Sequence, residues 1–233
     1  MCKGQEFCYV LGKDPSSWSS ECPLPPPDYF EQSVDLFEKA IEALLKGDKT
    51  QALIELQKSE SEKVKEFFVE HGQQSAYFRV QNRKEIDKQN KISKKENTSP
   101  RLVASIEKQV FARDHYRCRY CGLRIIAKEV FSAFSRIVGS DNFSVERKNS
   151  VRNGLTLGLR GVADHVDPYA SGGQTDMDNL VTSCYSCNFG KAGYTLKQMR
   201  IEDPRERPPI QDSWVGLTQF VPALKKLERE VTK

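Results

Sequence analysis

The sequence predicts an α+β fold: an N-terminal α-helical hairpin followed by a small unit built from two short strands and a helix. Three observations predict it. Apolar residues recur at helical spacing between Pro27 and His71. Two short runs with strand character, Val162-Ala163-Asp164-His165-Val166 and Asp178-Asn179-Leu180-Val181-Thr182, flank a turn-rich stretch beginning at Pro168. Two Cys-x-x-Cys pairs, Cys118/Cys121 and Cys184/Cys187, stand 62 residues apart and bracket the first of these runs and the loop after it.

The hairpin, spanning 28–71, is read from two stripes. Phe30, Val34, Phe37, Ile41 and Leu44 form the first, and Leu53, Leu56, Val64 and Phe67 the second. Between them Gly47 can end one helix in a left-handed conformation and Asp48 can cap the next. Residues 1–81 are therefore expected to form a helical module, 82–100 a charged linker, and 101–233 a second domain. In that domain a short helix with Val103, Ile106, Val110 and Phe111 in phase leads into the first cysteine pair. A C-terminal helix from Trp214 to Val231 is expected to pack back on it through Leu217, Val221, Leu224 and Leu227.

Composition narrows the function classes. Mean hydropathy is −0.61 and no run approaches the roughly 18 apolar residues needed to cross a bilayer, so no membrane role is expected. The N-terminus lacks the basic start and apolar run of a secretory signal, which makes a reducing cytoplasm the expected compartment. There, thiols are metal ligands or buried residues rather than disulfide halves. Of seven cysteines, Cys2, Cys8 and Cys22 are read as unpaired thiols. The net charge of +4 is uneven: −5 over residues 1–81 and +9 over the remainder, which points the C-terminal part at a polyanion.

Two Cys-x-x-Cys knuckles can aim four thiolates at one ion, and zinc suits that tetrahedral sulfur set. Gly122, just past the first knuckle, supplies the positive φ that such turns require. This zinc has no open position and is expected to be structural. Between the knuckles lies different chemistry. Asp164 and His165 are adjacent on a strand and so point to opposite faces, unless the strand twists or ends there. The segment from Cys187 through Asn188 to Lys191 starts a helix.

Together these elements resemble the HNH endonuclease pattern: Cys118-Arg119-Tyr120-Cys121-Gly122, Asp164-His165, Gly172-Gly173, Asp178-Asn179-Leu180 and Cys184-x-x-Cys187-Asn188-x-x-Lys191, in order over roughly residues 105–195. The resemblance implies a ββα-metal motif that holds one divalent cation against a phosphodiester and leaves 5′-phosphate and 3′-hydroxyl ends. It implies His165 as general base, Asp164 and Asn188 as ligands of the catalytic ion, and Asn179 as the brace of the hairpin loop. The residue types agree. A histidine titrates near neutrality, and one carboxylate with one amide oxygen suits magnesium or manganese better than zinc.

Lys191 and Arg160 are the expected nucleic-acid contacts. DNA is the default substrate and RNA stays open, since such a site reads backbone rather than base. Restriction or phage defence within a complex, with the N-terminal helices docking a protein partner, would accommodate this chain. The competing class is a zinc-ribbon nucleic-acid-binding protein without catalysis, which has no use for Asp164, His165 and Asn188 together. A third reading is a nuclease subunit active only in an assembly. The insert at 123–163, with Arg136, Arg147, Lys148 and Arg152 beside Phe131, Phe134 and Phe143, is either a substrate-contacting elaboration or packing around the zinc site.

Overall fold

The computed structural model describes residues 8, 10–83, 104–146 and 148–231. Most of the expected linker lies outside them, as do Cys2, Val103 and Arg147. Helix α1 (Tyr29–Leu45) buries the stripe of Phe30, Val34, Phe37, Ile41 and Leu44. Gly47, at φ 85°, ends it, and the Asp48 carboxylate accepts from the Gln51 amide at 2.8 Å to start α2 (Lys49–Lys58).

The expected second helix is in fact two. Glu60 adopts φ 52°, and the Ser59 carbonyl turns aside to accept from the Ser33 hydroxyl at 2.7 Å, so the chain breaks before α3 (Ser61–Asn82). Nothing marks that break by residue type. It is set by a long-range hydrogen bond rather than by glycine or proline. Helix α3 then runs beyond His71 and buries Ala76, Phe78, Arg79 and Val80.

Helix α4 (Ala104–Arg113) precedes the first knuckle and lays Val110 against Ala163 and Leu180. The insert supplies α5 (Lys128–Val138), strongly one-sided, and the short α6 (Gly154–Gly158). Strands β1 (Gly161–His165) and β2 (Leu180–Cys184) pair antiparallel, with Gly161 opposite Cys184 and His165 opposite Leu180. Helix α7 (Tyr185–Lys191) follows β2 without a loop, and α8 (Leu196–Met199) and α9 (Val221–Val231) complete the chain. The C-terminal helix begins later than Trp214, because Leu217 takes φ 60° and a 3-10 turn at Thr218–Phe220 intervenes.

The core is shared across the expected domain boundary. Phe37 of α1 lies 5.1, 5.0 and 5.5 Å (ring centroids) from Phe131, Phe134 and Phe143 of the insert. One apolar cluster joins Leu24 and Phe30 to Ile125, Leu155, Val181 and Leu224. Residues 1–81 and 101–233 are thus not two separately cored units, and the three insert phenylalanines are interior packing. Close approach enforces the joint: a Cβ on Gly154 of α6 would fall 1.6 Å from the Ser61 carbonyl oxygen of α3.

Candidate active site

The first knuckle is a tight turn. Cys118 and Gly122 close it by main-chain hydrogen bonds, with Gly122 at φ 79°. The Arg119 amide donates to the Thr182 carbonyl of β2 at 2.8 Å, tying this turn to the sheet that carries the second knuckle. Cys184 ends β2 and caps α7. As a result the sulfurs of Cys118, Cys121, Cys184 and Cys187 lie within 4.8 Å of one another, three buried and Cys121 half-buried. Four converging thiols on two knuckles fit zinc. Burial opposes ionisation of Cys118, but contacts from Cys121, Cys184 and Cys187 outweigh it and hold its thiol well below the usual value.

Beneath this cluster Asp114 is fully buried and organises the strand ends. It accepts from the Thr182 amide at 2.7 Å and pairs with Arg113 and Arg119. Its role was not apparent from the sequence, where it is one acid among basic neighbours.

The β1–β2 loop is held by Asn179. Its amide oxygen accepts from the Asp167 amide at 2.8 Å, and its amide nitrogen donates to the carbonyls of Asp167 and Gln174 at 3.0 and 2.8 Å. Gly173 fits beneath this bridge only without a side chain, since a Cβ would stand 1.8 Å from the Asp167 oxygen. The loop delivers Thr175, whose hydroxyl lies 2.8 Å from His165 Nε2, while the Tyr169 ring meets the imidazole edge-on at 5.5 Å. Sequence reasoning missed Thr175 because a loop threonine carries no periodic signal.

Asp164, His165 and Asn188 line one cleft of about 650 Å³ together with Lys191. Asp164 is 6% exposed; it accepts from the Tyr120 hydroxyl at 2.7 Å and pairs with Lys191 Nζ at 3.2 Å. Burial, then the Asp164 charge, raises the Tyr120 hydroxyl well above its ordinary value, so it remains a donor. Tyr120 sits inside the first knuckle and so links the thiol cluster to the cleft.

Lys191 is 1% exposed and also donates to the His165 carbonyl at 2.8 Å. This corrects its expected place as an outward phosphate contact. One helical turn beyond Asn188 it faces the hairpin, and its ammonium is held by Asp164. Arg160 stands apart from the cleft, with its guanidinium 5.6 Å from the Tyr185 ring centroid.

Residues 160–192 match the model of the HNH endonuclease family. No curated protein and no solved structure matches the chain. The matched HNH segment contains the hairpin, its loop and α7, and with them His165, Asn179 and Asn188. It carries a nuclease-type function and thereby an affinity for nucleic acid. No helix among the described residues is long and apolar enough to cross a membrane.

Proposed function

We propose that this chain is a divalent-metal-dependent endonuclease with His165 as general base. The observation that carries this reading is the shared cleft of Asp164, His165 and Asn188 within the HNH segment. Asp164 and Asn188 would hold one hard cation. A carboxylate offers about four acceptor positions, so the donors from Tyr120 and Lys191 leave room for one. Bound there, magnesium or manganese supplies charge neutralisation for the phosphodiester.

His165 takes the proton of the attacking water. With Nε2 donating to Thr175 Oγ1, Nδ1 carries the lone pair that receives it. Lys191 keeps the Asp164 carboxylate ionised and aligned, and Asn179 fixes the loop that carries Thr175. The four cysteines hold structural zinc.

DNA is the proposed substrate, cut to 5′-phosphate and 3′-hydroxyl ends. The proposed setting is restriction or phage defence within a complex in the cytoplasm. Docking through the N-terminal helices is supported by exposed Ile54, Val69 and Tyr77 on α2 and α3.

Purified protein incubated with plasmid, single-stranded DNA and RNA, with Mn²⁺ or with chelator, tests the reading. Metal-dependent cutting is expected and should fall about 100-fold or more in His165→Ala. Equal cutting by both proteins would refute His165 as the base, and cutting of RNA alone would change the substrate class.

A further inference from the structure

Cys22 belongs to neither knuckle, yet its sulfur lies 3.5 Å from that of Cys187. Inside the cluster, Cys121 and Cys184 stand 3.7 Å apart. Thiolates on one tetrahedral zinc, each about 2.3 Å from the ion, are separated by about 3.8 Å. Cys22 is therefore at ligand spacing from an edge of the tetrahedron, and its thiol also meets that of Cys121.

Independent contacts hold it there. Arg79 of α3, with no exposed surface, donates to the carbonyls of Ser19, Cys22, Pro23 and Met199. Leu24 presses on α7 so closely that a Cβ on Gly190 would come within 2.6 Å of its own Cβ. A cleft of about 520 Å³ reaches the cluster from this side, lined by Cys22, Cys118 and Cys121 among others. Cys121, half-buried, is the one member of the four that is not fully enclosed.

We infer that Cys22 is a fifth ligand of the metal site, exchanging with Cys121 at the corner that faces this cleft. The inference rests on the reading of the four-cysteine cluster as a zinc centre. Tetrahedral zinc takes four thiolates at a time, so the exchange is one for one. The bond from Cys121 to the ion breaks as the bond from Cys22 forms, and the Cys22 proton passes to the departing Cys121 sulfur. With Cys22 bound, the ion fastens the N-terminal segment directly to α7.

Cobalt(II) loaded into the full chain in place of zinc tests this, because its thiolate charge-transfer absorption grows with the number of sulfur ligands. Cys121→Ser should keep one equivalent of cobalt and the four-thiolate intensity, whereas Cys22→Ser/Cys121→Ser should lose about a quarter of it. Identical, reduced spectra for the single and double variants would overturn the inference while leaving the zinc reading intact. A wild-type chain that takes up neither cobalt nor zinc would overturn both.

Should Cys121→Ser fail to fold, the Cys22→Ser protein carries the test through zinc transfer to a competing chelator. Release roughly tenfold faster than wild type is expected, and an unchanged rate would refute the exchange.

Discussion

A lysine ammonium and an aspartate carboxylate enclosed together at 1% and 6% exposure make each other tolerable, and neither is tolerable alone. Lys191→Ala should therefore destabilise the fold by about 3–5 kcal/mol in urea unfolding, and adding Asp164→Asn should recover much of that loss. Tyr120→Phe removes one donor to a charged group and should cost about 1.5–3 kcal/mol, with the thiol cluster still binding one metal. At this scale the sequence was partly legible. Paired cysteine spacing identified four thiols that converge, and residue order identified Asp164, His165 and Asn188, which line one cleft. Lys191 was misjudged because a lysine near a helix start is commonly solvated, and only the packed hairpin shows that its helix face turns inward. Cys22 was passed over because its neighbours in the chain are unrelated to its neighbours in space.

Among the elements, α6 depends on lying directly on α3. Gly154→Ala would push a methyl group into the Ser61 carbonyl, and a loss of more than about 1–3 kcal/mol is expected from thermal unfolding, together with poorer packing of the hairpin that follows α6. The connector after α8 has a pH signature. Burial opposes ionisation of Asp203, but hydrogen bonds from Arg205 outweigh it and set its value below the ordinary carboxylate range. A lowered folded value gives stability that is complete above the unfolded value, about pH 4, and is lost as pH falls through the folded one. Urea midpoints measured across that range should fall less steeply for Asp203→Asn than for wild type. Helix stripes and the Gly47-Asp48 break could be read because periodicity and capping are local properties. The break at Ser59-Glu60 could not, since Ser33, which holds it, is 26 residues away.

At the scale of the whole molecule the error was to treat a change in charge as a domain boundary. Charge reports on the surface, whereas Phe37 among Phe131, Phe134 and Phe143 reports on the interior, and the interior is continuous. Residues 101–233 expressed alone should accordingly lack a cooperative thermal transition and dispersed amide resonances. A well-folded fragment would mean that α1 to α3 are dispensable. Phe37→Ala should cost about 3–5 kcal/mol, since it opens a cavity on both sides of the supposed boundary. The bond between Arg79 and the main chain at Met199 spans 120 residues of sequence. During synthesis the first third of the protein must therefore wait, incompletely packed, until nearly all of the remainder has left the ribosome. A truncated translation product consequently carries no finished cutting site, and the cell's own nucleic acid meets this chemistry only when the polypeptide is almost whole.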